Sequence, residues 1–174
     1  SNEAPEQLAE ERVRAILDAI TPLLSAKGSI VGSYGAGWLW KLALKHDAAA
    51  DLLRKAASSR HARTRLIIVQ FSGCSRAAGP KEVALVKEVL RAGLQDKSSK
   101  VRLFSADRLH GRNGFGLVQE LERALELEPH AKTRRAMEFA RDGLVQGFQV
   151  RANAVAEQDG QVCLWVRIKS GWCG

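Results

Sequence analysis

A chain of 174 residues fits one domain with a real core, and its 45% hydrophobic and 6% aromatic content, rich in Leu, Ala, Arg, Lys and Glu, favours helix except near the C-terminus. A net charge of +8 suits phosphate-bearing or acidic partners and says nothing of the fold. No stretch approaches the roughly 20 apolar residues of a membrane span, and the acidic N-terminus does not read as a signal peptide.

Residues 5–20 carry Leu8, Val13, Ile16, Leu17 and Ile20 at helical spacing, and Pro22 is expected to end or kink that helix. Gly28 to Gly37 is glycine-rich and reads as a connector, followed by a helix with Trp38, Leu39, Leu42 and Ala43. Asp47 is placed to cap the next helix, Ala48 to about Ser58, with Leu52, Leu53 and Ala56 inward. Residues 62–72, nearly all apolar from Leu66 to Val69, predict a central helix. Gly79-Pro80 is a stop followed by a start, opening a helix with Val83, Val86, Val89, Leu90 and Leu94. Ser98 or Ser99 caps the one after it, which holds Val101, Phe104, Ser105 and Leu109. A turn at 110–116 leads to a helix with Val118, Leu121 and Leu125, and Pro129 opens the last, with Ala136, Met137, Ala140 and Leu144. After Gly147 the apolar period changes to two, with Asp159-Gly160 as a turn signal, which predicts a β-hairpin over 147–170.

Three helix starts look alike: Thr64-Arg65-Leu66, Val101-Arg102-Leu103 and Thr133-Arg134-Arg135, their arginines 37 and then 32 residues apart. Each reads as ending near a glycine (Gly73, Gly111, Gly143), and one more amphipathic helix sits between successive starts. That is a repeated two-helix unit, and such units stack because none buries its apolar face alone. Residues 100–111, KVRLFSADRLHG, resemble the second helix of short bacterial HEAT-like (armadillo-type) repeats, and DKSSKVR from Asp96 resembles their inter-helix turn. The resemblance covers roughly residues 46–145 and is best from Asp96 to Gly111. It implies an all-α fold, a right-handed α-α superhelix, with the hairpin as a C-terminal cap. The expected organisation is a single domain, 1–174: N-terminal helices and the glycine-rich connector (5–46), HEAT-like repeats (47–145), and the cap. In the family the repeated arginine ties one repeat to the next, which implies that role for Arg65, Arg102 and Arg134. Asp96 has a counterpart in Glu128 but only Ser59 in the first copy, so the Asp-Arg ladder is incomplete.

Two residues before those arginines lie Arg63, Lys100 and Lys132, with Arg60, Lys97, His130 and Arg135 close by. Second helices line the concave surface in proteins of this resemblance, and a row of cations there attracts phosphates, carboxylates or an acidic protein surface. The blander reading is a solvated charged edge. Trp38 and Trp40, with Tyr34 nearby, are two apart and so point to different sides of a helix; one is a candidate for exposure as a hot spot or stacking platform, against burial of both. The glycine-rich stretch lacks the Lys-Ser/Thr ending of a phosphate loop. His46, His61, His110 and His130 are scattered, with no pairing that suggests a metal site. Cys74, Cys163 and Cys173 are an odd number without tight pairs, which reads as a reducing, cytoplasmic compartment. No pair of carboxylates is placed for acid/base work, so neither catalysis nor a cofactor is implied.

The expected function is a non-catalytic module that holds an acidic protein or peptide on a basic concave face, as small autonomous HEAT-like domains of the immunity or antitoxin kind do. A direct blocker of a basic nuclease cleft is usually acidic, which counts against that variant for a chain this basic. Two alternatives stand beside it. One is nucleic-acid binding, with the architecture and charge of HEAT-like DNA glycosylases for alkylated bases. The other is a scaffold fragment of a longer protein.

Overall fold

The computed structural model describes residues 3–25, 29–72, 79–109, 114, 116–146, 148–152, 164–168 and 171–173, with side chains described from residue 10 to residue 146 within those ranges, Ser29 excepted. Apart from three short C-terminal strands, the fold is all-α, built among the described residues from eight helices: α1 (Glu3–Ser25), α2 (Ser29–Ala43), α3 (Asp47–Ala57), α4 (Ala62–Gln70), α5 (Pro80–Leu94), α6 (Ser99–Arg108), α7 (Val118–Leu127) and α8 (Ala131–Gln146). The chain divides into two compact units, Ser1–Leu85 and Val86–Gly174.

In the first unit, α2 packs on α1 and α3, and α4 lies against α1, α2 and α3. The apolar period of α1 puts Val13, Leu17, Ile20 and Leu24 inside, while Ile16 stays exposed. Pro22 does not end α1, which runs one further turn to Ser25. The ring removes one N–H and leaves the carbonyl four residues back without its helical partner. Asp18 is exposed, so water can take up that carbonyl.

Of the expected connector at Gly28 to Gly37, residues 29–37 are instead the first part of α2, and Gly28 lies outside the described residues. Close packing is the reason. A Cβ at position 35 would lie 3.2 Å from Leu23 Cβ of α1, and one at position 32 would lie 2.9 Å from Ile67 Cδ1 of α4. Gly35 thus lets α2 sit closer to α1 than most side chains do, and Gly32 leaves room for the Ile67 side chain of α4; these contacts are set against their poor helix propensity. Leu39 is fully buried on the same side of α2, and Trp40 donates its indole N–H to the Ile68 carbonyl at 3.0 Å.

Asp47 is the first residue of α3 rather than its cap; the N-cap is His46, and no side chain bonds there. Leu53 and Ala56 are buried as the period requires, with Leu52 half-buried. Ile67, Ile68 and Val69 of α4 are all buried.

In the second unit, α8 packs on α6 and α7. Buried residues include Val86, Val89, Leu90 and Leu94 of α5, Val101 and Ala106 of α6, Leu121 of α7, and Met137, Ala140 and Leu144 of α8. Arg91 of α5 pairs with Glu120 of α7 at 2.9 Å. Gly116, in the turn before α7, has φ +82°, a conformation that glycine adopts without steric cost. Pro129 lies two residues before α8 rather than at its first position, and Gly143 lies within α8 rather than at its end. Gly73 and Gly111 fall outside the described residues.

Beyond α8 the backbone has three short strands, β1 (Phe148–Ala152), β2 (Leu164–Ile168) and β3 (Gly171–Cys173). They pair antiparallel in that order, with Val150 opposite Val166. The Asp159-Gly160 turn lies outside the described residues, as do the strand side chains.

Candidate functional site

The three look-alike helix starts share one local geometry. Six residues before each arginine sits a residue whose side-chain oxygen accepts a backbone N–H two places on. Ser59 Oγ takes His61 N at 3.2 Å, Asp96 Oδ1 takes Ser98 N at 2.7 Å, and Glu128 Oε1 takes His130 N at 3.0 Å. The main-chain carbonyl of the same residue accepts from the arginine. Arg65 Nη1 reaches Ser59 O at 2.6 Å, Arg102 Nη1 reaches Asp96 O at 2.7 Å, and Arg134 Nη2 reaches Glu128 O. Each arginine therefore ties its helix to the turn that precedes it.

Arg102 does more. Its Nε and Nη2 donate to the two carboxylate oxygens of Glu128, at 2.6 and 2.9 Å, so α6 is clamped to the turn between α7 and α8. The Glu128 side chain is completely buried. Its carboxyl is held below the usual range, first by the Arg102 bonds and further by the His130 N–H, against the opposing effect of burial. The Arg102 guanidinium is pushed up, chiefly by the same bond to Glu128. Threonines one position before two of the arginines add contacts. Thr64 Oγ1 donates to Leu24 O at 3.3 Å, and Thr133 Oγ1 to Ser99 O at 3.5 Å, the outer limit of such a bond.

The second basic set is placed differently. Lys97, Lys100, Lys132 and Arg135 in the second unit are all exposed, as are Arg60 and Arg63 in the first. Among the described residues no ion pair engages any of them. Arg60 Nε donates to His61 Nε2 at 3.1 Å. Lys100 and Lys132 occupy the same place on α6 and α8, two residues before Arg102 and Arg134. Because α6 and α8 pack on each other, the repeat brings these two lysines to corresponding positions on neighbouring helices. Arg60 and Arg63 take the matching positions around the start of α4.

The two tryptophans separate. Trp40 is 7% exposed and Trp38 is 56% exposed. Trp38 carries the Lys41 ammonium 4.8 Å from its ring centroid. Ile30 and Tyr34, each 69% exposed, precede Trp38 at spacings of four. The sequence hides this stripe, because the intervening glycines favour a connector; the spacing of Ile30, Tyr34 and Trp38 is the available signal. It also hides the hydroxyl bonds of Thr64 and Thr133.

A shallow depression lined by Leu103, Phe104, Asp107 and Ala136 holds one carboxylate and no nucleophile. Among the described residues no group of three or more His, Cys, Asp or Glu stands together to hold a metal ion, and no helix is long and apolar enough to cross a membrane. No family model, curated protein or solved structure matches the chain.

Proposed function

We propose that this chain is a HEAT-like helical-repeat module, without catalytic activity, that acts in the cytoplasm by holding an acidic partner protein on the basic positions of its repeats. The right-handed winding of such repeats, and a hairpin cap formed by the C-terminal strands, belong to the same reading. The observation that carries it is the division of labour among the cations at the helix starts. Arg65, Arg102 and Arg134 are engaged by turn carbonyls. Lys97, Lys100, Lys132 and Arg135 recur beside them, exposed and outside any ion pair among the described residues. Exposed cations at repeated positions give a surface that attracts carboxylates, and each can change without disturbing the fold.

The test is affinity capture from a lysate of the source organism, with and without nuclease, using the native chain and a Lys100→Glu/Lys132→Glu variant. One stoichiometric protein that survives nuclease, and is lost from the variant, supports the reading. Recovery of nucleic acid, with proteins lost after nuclease, moves the function to nucleic-acid recognition. Equal capture by the variant removes these lysines from the interface.

A further inference from the structure

Among the described residues, helix α2 buries one side and leaves another exposed. Ile30, Val31, Tyr34 and Trp38 are exposed apolar or aromatic side chains, and Lys41 and Lys45 are exposed beside them. At 100° per residue Ile30, Val31, Tyr34, Trp38 and Lys41 fall within one face about 100° wide, opposite the buried Gly32, Gly35, Ala36 and Leu39, and Lys45 lies in the turn just past the helix end at Ala43. No Asp or Glu occurs between Ser29 and Lys45. The Phe71 ring, at the C-cap of α4, borders the face. It is partly exposed and would lie 3.6 Å from a Cβ at position 37.

We infer that this face of α2 is a docking surface for an amphipathic helix of a partner protein, with aliphatic residues against Ile30, Tyr34 and Trp38 and carboxylates opposite Lys41 and Lys45. The shape favours a helix. Residues 30, 34 and 38 form one i, i+4 ridge, and such ridges seat in the grooves between the side-chain rows of another helix. The chemistry favours an acidic one. The face is apolar at its N-terminal end and cationic at its C-terminal end, with Lys41 held against the Trp38 ring and no carboxylate on the helix to neutralise it. Large aromatic side chains in an apolar patch are the usual energetic centre of such contacts. An excess of eight positive charges works against covering the face with a second copy of the chain. The inference rests on α2 alone and is independent of the basic positions at the repeat starts.

The experiment titrates the full chain with two synthetic helical peptides. Both carry the same Leu/Ala face; one has Glu and the other Lys along its flank. The acidic peptide should bind, the basic one should not, and Trp38→Ala should weaken the acidic peptide by about tenfold or more. Lys41→Glu/Lys45→Glu should reverse the preference between peptides, and it reports even if Trp38→Ala misfolds. Lys100→Glu/Lys132→Glu should leave the affinity unchanged, which separates this site from the repeat positions. Several results overturn the inference: binding of neither peptide, equal binding of both, or loss of binding in the Lys100/Lys132 variant alone. So does uptake on anionic lipid vesicles without peptide binding, which assigns the face to a lipid surface. A Trp38-dependent dimer in sedimentation, formed without peptide, assigns it to a second copy.

Discussion

In the second unit, four hydrogen bonds converge on Glu128, whose carboxylate is buried. It accepts two bonds from Arg102 and one from the His130 N–H, while its own carbonyl accepts from Arg134. A carboxylate whose folded pKa is depressed adds stability above its unfolded pKa, and that stability is lost as pH falls through the folded value. The native chain should therefore weaken in acid, below the ordinary glutamate value of about 4.3. Glu128→Gln should lower stability at neutral pH by roughly 3–5 kcal/mol, because Arg102 then keeps a half-buried charge without its counter-ion. The variant should also show a flatter acid branch. Urea denaturation of both proteins across this pH range checks the point; parallel curves would mean that the carboxylate is not ionised in the fold. The spacing of Arg65, Arg102 and Arg134 was visible in the chain. The equivalence of Ser59, Asp96 and Glu128 was only half visible, because one of the two shared bonds goes to a main-chain carbonyl, which any residue supplies.

The elements followed the apolar period closely, and they departed from it where packing overrode a local preference. Four glycines between residues 28 and 37 suggested a connector, yet Gly32, Gly35 and Gly37 lie in α2. The cost of glycine in a helix, about 1 kcal/mol each, is set against the close approach that only glycine permits. Gly35 and Gly37 should respond differently to a side chain. Gly35→Val would push against Leu23 Cβ, a backbone-anchored atom with no freedom to move aside, and should destabilise by roughly 1–3 kcal/mol. Gly37→Ala meets Phe71 at ordinary van der Waals distance and should stabilise by about 0.5–1 kcal/mol through helix propensity. Shifts of opposite sign in the urea midpoint bear this out, and a stable Gly35→Val protein would contradict the packing argument. No pattern in a single sequence separates the two glycines, since the difference lies in what faces them from α1 and from the end of α4.

At the scale of the whole molecule, what the sequence supplied was charge: an excess of eight cations with no indication of which were already engaged. The folded chain sorts them, with Arg102 clamped to Glu128, Arg91 to Glu120 and Arg141 to Asp142, and with Lys97, Lys100, Lys132 and Arg135 left exposed. The neighbouring turns and helices decide the sorting, and their placement cannot be read from residue type. Exposed cations act at a distance, so they govern the rate of encounter with an acidic partner more than the lifetime of the complex. Once a partner has been captured, Lys100→Glu/Lys132→Glu should slow association by about tenfold at low ionic strength and change dissociation little. Raising the salt shortens the screening length to about 3 Å at 1 M, so the native and variant association rates should converge there. Stopped-flow measurements over a salt series read both rates. Equal association rates at low salt would place the lysines away from the partner's approach. A faster dissociation that persists at high salt would place them inside the dry part of the contact, where removing a charge leaves its counter-ion buried and unpaired.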